Sequence, residues 1–377
     1  MKIGIIVEYN PFHNGHIYQI NEIKKIYKDS SIVIVMSSSI TMRGEISLLN
    51  KWQKTSVAIN NGVDLVVELP SVFCQSADTF AHNAVKLLNE IGIDILVFGS
   101  ESNDILKLIK IAKIQLNNKK FDNLVKANMN KGFNYPTSLS NAINDLTGLK
   151  VNTPNDILAV SYIKSALEIN DKIVIKSIKR SNDYNDIVSE SNIVSASNIR
   201  NKYLNNLNFK NSVPLETYNY MIQNKFDFNL MFNLIKYNIL INKDDLCKFH
   251  LVDESICSRL YNAALISNNL NELILNVKTK RYTYNRISRI LLFILFNITK
   301  VEANNFKLEY IRILGMNKKG KEILKSAKKL SSLPILTKFK NGYKLLDYEL
   351  RVTTIYSMIL NNPELIKDEY KSKVIIK

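Results

Sequence analysis

The first half of the chain alternates short apolar runs with amphipathic stretches of helical spacing. Apolar runs predict strands at residues 3–7, 32–36, 65–69, 95–98 and 173–178. Helical spacing is found up to about residue 27 and over residues 52–61, 77–91 and much of 104–147. Apolar strands separated by helices are typical of a parallel sheet that helices cover on both faces. We therefore predict an α/β, Rossmann-like domain.

The second half has a different pattern. From about Leu204 the apolar runs lengthen, carry helical spacing and show no convincing strand before the C-terminal end. Six of the eleven glycines lie in the first 99 residues, and none lies between Gly148 and Gly315. A polar stretch that ends at Pro214 marks the boundary. We predict a Rossmann-like domain over residues 1–207 and a mostly α-helical domain over residues 208–377.

The composition is that of a folded protein, with 46% hydrophobic and 23% charged residues. The N-terminal apolar run ends at Glu8 without a cleavage site, which argues against a secretory signal. The apolar stretch at residues 290–298 is about half of the ~20 residues that span a bilayer. We therefore expect a cytoplasmic protein without a membrane partner. The three cysteines form no CxxC pair, so we expect neither a disulfide framework nor a zinc site.

The most informative segment joins the first predicted strand to the first predicted helix. It reads VEYNPFHNGH, from Val7 to His16, and holds two of the four histidines. A strand-to-helix turn directs backbone N–H groups and the positive end of the helix dipole toward a phosphate. His13 and His16 share one helical face, where both could donate hydrogen bonds to a phosphate under attack. A structural histidine pair or half of a metal site is the alternative.

A second segment, VSASNIR, runs from Val194 to Arg200. We expect Ser197 to cap the helix that follows and, with Ser195 and Arg200, to hold the β- and γ-phosphates of a nucleotide. A Ser-rich helix start is by itself usually only a cap. Combined with the histidine segment, it indicates a nucleotide site.

Both segments resemble known motifs. VEYNPFHNGH resembles the HxGH signature of the superfamily that includes class I aminoacyl-tRNA synthetases and small nucleotidyltransferases, and VSASNIR resembles that superfamily's second motif. From the first residues to about Tyr356, the chain resembles the bacterial tRNA(Met) cytidine acetate ligase family. The segments that carry this resemblance are NGVDLVVELP at 61–70, FGSE at 98–101, TPNDIL at 153–158, IKR at 178–180 and KTKRYTYNRISRILL at 278–292.

The resemblance implies an ATP-dependent ligase. Such an enzyme activates acetate as acetyl-adenylate with Mg²⁺, releases pyrophosphate and then AMP, and acetylates N4 of the wobble cytidine of elongator tRNA(Met) without coenzyme A. The N-terminal domain would activate acetate and the C-terminal domain would bind tRNA. The catalytic residues would be His13 and His16. The implied ATP-binding residues are Val7, Glu8, Tyr9, Asn10, Pro11, Phe12, His13, Asn14, Gly15, His16, Ile20, Gly99, Asn155 and Arg180.

Some of these residues also have ordinary structural explanations. Gly99 could be a strand-end turn glycine, Asn155 a solvated residue of a first helical turn, and Lys179 could replace Arg180 as the phosphate ligand. The chain departs from the family at residues 37–42, SSSITM, where relatives carry Gly-Asn/Asp-Phe and a Gln before the Arg-Gly-Glu retained at 43–45. This difference bears on selectivity for the acid or the cytidine.

The positive charge is local. The chain has 51 Lys+Arg and 34 Asp+Glu, a net charge of +17, and residues 275–344 hold 17 of these basic residues against three acidic ones, or +14. Four of the nine arginines lie there, with Tyr282 and Tyr284 as expected stacking surfaces for unpaired bases. The lysine run at 318–329 alone reads as a solvated helix face. The predicted tRNA-binding residues are Lys278, Lys280, Arg281, Arg286, Arg289 and Arg312.

Two other functions remain open from the sequence. A nucleotidyltransferase acting on a phosphorylated metabolite would share the nucleotide motifs but would leave the basic block unexplained. A non-catalytic RNA-binding relative would explain the altered loop at 37–42. Pyrophosphate release that depends on acetate distinguishes the ligase from the first alternative. Incorporation of acetate into tRNA with ATP and without coenzyme A excludes the second.

Overall fold

One mixed sheet organises the molecule. A computed structural model describes residues 1–116, 118–180, 193–371 and 374–377. The strands are β1 (Lys2–Val7), β2 (Ser31–Ser37), β3 (Leu65–Leu69), β4 (Ile95–Ser100), β5 (Val174–Lys179), β6 (Ile311–Met316), β7 (Ile335–Leu336) and β8 (Ile375–Ile376). Their order is β5-β4-β1-β2-β3-β6-β7, with β8 also paired to β6. Strands β1 to β5 are parallel, which confirms the predicted α/β class and all five predicted strands.

Helices cover both faces of the parallel strands. Along β2, Val33 and Val35 enter one apolar core and Ile32 and Ile34 enter the other, which explains the continuous apolar run. The helices up to residue 204 are α1 (Asn14–Ile26), α2 (Lys51–Asn60), α3 (Ala77–Ile91), α4 (Ile105–Gln115), α5 (Lys119–Asn130), α6 (Tyr135–Thr147), α7 (Pro154–Ile169) and α8 (Ala196–Leu204).

The later part of the chain is mostly helical, as predicted. Its helices are α9 (Leu215–Gln223), α10 (Phe228–Ile241), α11 (Glu254–Ile266), α12 (Leu270–Val277), α13 (Tyr284–Leu295), α14 (Lys300–Asn305), α15 (Lys318–Leu330), α16 (Lys344–Ile359) and α17 (Glu364–Lys371). Among the described residues, no helix is both long and apolar enough to cross a membrane.

The expectation of no strand before the C-terminal end is wrong. Strand β6 pairs antiparallel with β3 through Leu65 and Met316, so the sheet continues across the boundary predicted near residue 207. All six residues of β6 are buried. A strand of this length cannot be told from a buried helix segment by its apolar run alone, and its pairing with β3 decides its conformation.

Arg312 lies in a buried ionic network. Its guanidinium contacts the carboxylates of Glu68 and Glu369, and the Lys51 ammonium lies 2.7 Å and 2.8 Å from the same two carboxylates. The Arg312 side chain is only 1% exposed. The predicted tRNA contact of Arg312 is therefore wrong, because its charge is enclosed and already paired. The network joins α17 to the sheet, since Glu68 lies on β3 and Glu369 on α17.

The lysine-rich helix α15 lies at the amino-terminal edge of the parallel strands. Asn317, just before it, donates its backbone N–H to Asp64 O, directly before β3. At its other end, Ser331 bonds Glu90 near the end of α3. The carboxyl ends of β1 to β5, where ligands of open α/β sheets bind, are at the opposite edge. A strand of six or seven residues separates the two edges by roughly 20 Å.

Cys247 and Cys257 form a disulfide. This pair corrects the expectation that no cysteines are bridged. The two residues lie before and within α11, in a region where the sequence shows only a ten-residue separation and no CxxC pattern. Cys74 is a free, buried thiol.

Candidate active site

A cavity of about 750 Å³ opens at the carboxyl ends of the parallel strands. Val7 at the end of β1, Gly99 on β4 and Arg180 after β5 line one part of it. Arg286 and Arg289 of α13 line another part. The volume is within the range that accommodates a nucleotide-sized ligand. The tertiary structure thus brings residues from both predicted domains to one site.

The HNGH segment begins α1 with an unusual reciprocal cap. His13 is the N-cap residue, and its Nδ1 accepts a hydrogen bond from the Gly15 backbone N–H at 3.0 Å. The Nδ1 atom of His16 accepts from the His13 backbone N–H at 3.1 Å. Both Nδ1 atoms are therefore acceptors, which places the proton of each neutral ring on Nε2. Each Nε2–H is then a donor without a partner among the described residues, and both histidines line the cavity.

The two rings are stacked, with centroids 3.9 Å apart and an interplanar angle of 30°. Burial, followed by the charges of Arg180 and Arg200, lowers the pKa of His13 to about 3. Burial, His13 and Arg180 lower the pKa of His16 well below its ordinary value. The pair is neutral near pH 7 and offers two aligned N–H donors to an anionic group. Gly15 is required beneath the rings, because an added Cβ would lie 2.8 Å from His13 Cε1.

Not every residue of the predicted histidine segment lines the cavity. Val7, Glu8, Tyr9, Asn10, His13 and His16 do so. Phe12 and Ile20 are core residues, 0% and 1% exposed, and Phe12 packs edge-on against Tyr9. Asn14 donates to Asn211 O at 2.8 Å. Pro11, Phe12, Asn14 and Gly15 therefore shape the turn, and Ile20 packs α1 into the core.

In the second motif, the cap is Ser195 and not Ser197 as predicted. Ser195 Oγ accepts from the Asn198 backbone N–H at 3.1 Å, so the helix begins two residues earlier than expected. Arg200 donates from Nη1 to Asn10 O at 2.8 Å and from Nη2 to Glu45 at 2.7 Å and Ser197 Oγ at 3.2 Å. Ser195, Ser197 and Arg200 all line the cavity. In this arrangement Arg200 anchors the histidine loop.

Glu101 organises the side of the cavity near β4 and β5. It accepts hydrogen bonds from the Asn155 side chain and from the Asp156 backbone N–H, and it lies 4.0 Å from Arg180 Nε. A Cβ on Gly99 would be 3.4 Å from Arg180 Cγ, so the glycine lets this arginine lie across the strand end. The structure brings Gly99, Asn155 and Arg180 together. Glu101 is the last residue of the FGSE segment, but no pattern in the sequence marks it as a functional residue.

The predicted basic block divides between two places. Arg281, Arg286 and Arg289 line the cavity, while Lys278 and Lys280 are exposed beside it. The lysines of α15 lie at the opposite edge of the sheet. Tyr282 is 3% exposed and its hydroxyl bonds Asp253, so its expected role as a stacking surface is wrong. Tyr284 is 40% exposed.

The Arg-Gly-Glu loop connects the two parts of the cavity. Gly44 has φ +82°, and a Cβ there would lie 2.5 Å from the backbone N of Arg289. Met42 donates its backbone N–H to Glu8 Oε1 at 2.5 Å, and its carbonyl accepts from Arg289 Nη1 at 2.8 Å. Arg43 also lines the cavity. The retained Arg-Gly-Glu was the sequence signal for this contact, but its partner helix could not be read from the sequence.

Fold and site together define a nucleotidyltransferase of the HIGH class. A family model described as HIGH Nucleotidyl Transferase matches residues 1–371. The tRNA(Met) cytidine acetate ligases of Clostridium acetobutylicum and Clostridium novyi are 37% and 38% identical to this chain, each over 99% of both proteins. The chain belongs to the tRNA(Met) cytidine acetate ligase family.

Solved structures give the same result. The crystal structure of Thermotoga maritima TmcAL bound with alpha-thio ATP has a TM-score of 0.87 and 30% identity, covering 100% of this chain and 99% of that one. The apo form of the same protein has a TM-score of 0.90, with the same identity and coverage.

Proposed function

We propose that this protein activates acetate with ATP and transfers the acetyl group to N4 of the wobble cytidine of elongator tRNA(Met). One observation carries the proposal most directly: the neutral histidine pair and the arginines of α13 line the same cavity. The first set suits an α-phosphate, and the second suits an anionic RNA. Membership in the ligase family supports the same activity.

In the first step, an acetate oxygen attacks the α-phosphorus of ATP and the bond to pyrophosphate breaks. The Nε2–H groups of His13 and His16 donate to the α-phosphate oxygens as negative charge accumulates. Gly99 and Asn155 approach the adenosine, while Arg180 and the start of α8 bind the phosphates. Because both histidines are neutral, they donate hydrogen bonds without adding a positive charge to the site. The nucleotide therefore does not have to break an ion pair with them when it leaves.

We propose that Mg²⁺ arrives as part of MgATP. Within the described part of the chain, no three His, Cys, Asp or Glu side chains converge as a metal-binding group. Magnesium commonly uses substrate phosphates, waters and one or two carboxylates instead of a protein cage. Bound in this way, it would neutralise charge on the departing pyrophosphate.

In the second step, the cytidine N4 attacks the acetyl carbonyl and AMP leaves. N4 is a poor nucleophile because its lone pair is delocalised into the ring, so a mixed anhydride is the appropriate donor and coenzyme A is not needed. ATP, acetate and tRNA as substrates favour a cytoplasmic location for the protein. No covalent enzyme intermediate is required.

The decisive experiment incubates the protein with radiolabelled acetate, ATP and tRNA(Met) transcript, without coenzyme A. We expect label in N4-acetylcytidine at the wobble position after nuclease digestion. Pyrophosphate release that depends on a phosphorylated metabolite and not on acetate would contradict the proposal. So would tRNA binding without any acetate incorporation.

The pH dependence of acetyl-adenylate formation provides a first prediction. Because the pKa of His13 is lowered to about 3 and that of His16 is lowered well below its ordinary value, both rings are already neutral near pH 6.5. We expect kcat/KM for ATP to show no histidine inflection near pH 6.5. A fall in rate below pH 6.5 that disappears in His13→Gln would show that a histidine titrates there and would contradict this assignment.

The position of positive charge provides a second prediction. Lys278, Lys280 and Arg281 are exposed beside the cavity, and Arg281 also lines it. Replacing all three with alanine should weaken tRNA binding about tenfold or more at physiological salt and lower the slope of log Kd against log salt by about two to three.

The matched control replaces Lys321, Lys325 and Lys328 of α15 with alanine. It removes the same charge from exposed lysines at the far edge of the sheet. We expect tRNA affinity to change less than about twofold, because those side chains are roughly 20 Å from the cavity edge. Equal losses in the two triple variants would mean that net charge, and not its position, governs binding.

A further inference from the structure

Glu8, a hydrogen-bond acceptor, and Arg289, a donor, both bind the backbone of the same residue, Met42. The Met42 backbone N–H donates to Glu8 Oε1 at 2.5 Å, and the Met42 carbonyl accepts from Arg289 Nη1 at 2.8 Å. The two side chains thus flank a single peptide segment. They do not meet the distance of an ion pair in the described structure, although their charges interact. Both line the cavity.

Each member of the pair has a hydrogen-bonding atom that no described residue engages. Among the described residues, Glu8 Oε2 has no hydrogen-bond partner, and Arg289 Nε is buried without one. The other cavity-lining carboxylates differ in this respect. Glu45 is paired with Arg200, and Asp78 is paired with Lys164. Glu8 is therefore the cavity carboxylate that is available to accept a proton.

The pair lies between the two functional parts of the cavity. Glu8 follows β1 in the histidine segment, and Arg289 lies one helical turn after Arg286 on α13. A base bound between α13 and the histidine pair would share the cavity with both side chains.

We propose that Glu8 and Arg289 recognise the Watson–Crick edge of the target cytosine, and that Glu8 is the base that accepts the N4 proton. This inference rests on the proposed function. Cytosine presents the N4 amino donor beside the N3 and O2 acceptors, so a carboxylate beside a guanidinium is complementary. Uracil presents O4 and N3–H at these positions, which reverses the pattern and places an acceptor against Glu8. The pair therefore selects cytidine over uridine.

The transfer step balances in protons and electrons. The N4 lone pair forms the new C–N bond with the acetyl carbon, and the C–O bond to the AMP phosphate breaks with its electron pair leaving on AMP. One N4 proton passes to Glu8 Oε2 and is later released to water. Burial raises the pKa of Glu8, opposed by Arg43 and by the Met42 N–H, which makes this carboxylate a better proton acceptor.

The inference also accounts for the altered loop at residues 37–42. The contacts to Glu8 and Arg289 use the backbone of Met42 and not its side chain. A methionine at the position where relatives carry glutamine therefore leaves the pair in place. The loop difference does not remove cytidine recognition.

The test compares wild-type protein with Glu8→Gln in two assays. Acetyl-adenylate is trapped with hydroxylamine as acetohydroxamate, and acetyl transfer is followed in single turnovers on tRNA(Met) transcript. We expect transfer to fall on the order of 10²- to 10⁴-fold, and adenylate formation to fall at least tenfold less than transfer. Retained adenylate formation demonstrates that the variant is folded. Equal losses in the two assays, or rescue of transfer by raised Mg²⁺, would overturn the proposal, since Glu8 would then act in activation or in metal binding.

The pH profile separates Glu8 from its neighbours. The titratable and charged groups that face Glu8 are Arg43, Glu45, Lys54, Cys74, Tyr162 and Arg289. Lys54 has its pKa lowered to about 7 by burial, so it can also titrate in this range. We expect the wild-type transfer rate to rise with pH through an inflection above 4.5 that is absent in Glu8→Gln. Persistence of the same inflection in Glu8→Gln would assign it to another group and overturn the role as base.

The Arg289→Lys variant provides an independent test of cytosine recognition. It retains the charge but loses the planar fork, so preference for a wobble cytidine over a wobble uridine in competition binding should fall at least tenfold. Unchanged preference would overturn the recognition role. Wild-type protein that forms acetohydroxamate but never acetylates tRNA would instead contradict the proposed function, and this outcome is visible before any variant is tested.

Discussion

Replacing His16 with alanine is expected to lower acetyl-adenylate formation on the order of 10²- to 10³-fold and to leave tRNA affinity within about twofold. The Nε2–H of His16 has no partner among the described residues and lines the cavity beside His13. Its loss removes a donor that strengthens as charge develops on the α-phosphate. The tRNA contacts that we propose lie in the region of α13, so they should not depend on this ring.

Two measurements separate a catalytic from a structural effect of this change. His16 also completes the cap of α1, so the free energy of unfolding should fall by about 1 kcal/mol. His82→Ala is the matched control, because His82 is exposed on α3 and does not line the cavity. It should leave both activities unchanged. A loss of tRNA binding as large as the loss of adenylate formation would contradict the assigned role.

Replacing Glu369 with alanine is expected to lower the free energy of unfolding by about 3–5 kcal/mol. Burial raises the pKa of the Glu369 carboxyl, but Lys51 and Arg312 outweigh burial and lower it, so this carboxylate is charged in the folded protein. Its removal leaves two buried cations with Glu68 as their remaining close partner, because Glu349 has its pKa raised to about 7 by burial and by Glu68. The measurement is urea denaturation followed by circular dichroism.

The matched variant combines Glu369→Gln with Arg312→Met. It removes one charge of each sign, so we expect a smaller loss than for Glu369→Ala alone. The exposed pair of Lys367 and Glu364 is the surface comparison, and Glu364→Ala should cost less than about 1 kcal/mol. A loss below 1 kcal/mol in Glu369→Ala would show that the network does not hold α17 to the sheet.

The distribution of charge has a consequence for substrate binding. Most of the net charge lies between residues 275 and 344, yet the structure divides it between the cavity, the buried network and α15. Only the first of these is placed to meet a tRNA whose wobble base enters the cavity. Position therefore matters more than the total of +17.

The sequence alone determined the features that depend on local order along the chain. The apolar runs gave β1 to β4 because strands buried on both faces must be continuously apolar, and a shorter apolar run gave the largely exposed edge strand β5. Spacing placed His13 and His16 on one turn, and motif resemblance indicated the ATP-dependent chemistry. The buried side of α13, with Ile287, Ile290 and Leu291, followed from helical periodicity.

The tertiary structure decided what depends on contacts between distant segments. Arg289 and Arg312 are indistinguishable as basic residues in the sequence, but one lines the cavity and the other is enclosed by Glu68 and Glu369. Strand β6 exists because the edge of β3 is available to pair with it. The link from Glu8 through Met42 to Arg289 spans more than 240 positions. Local patterns cannot specify such contacts, because they depend on which elements the packed core brings together.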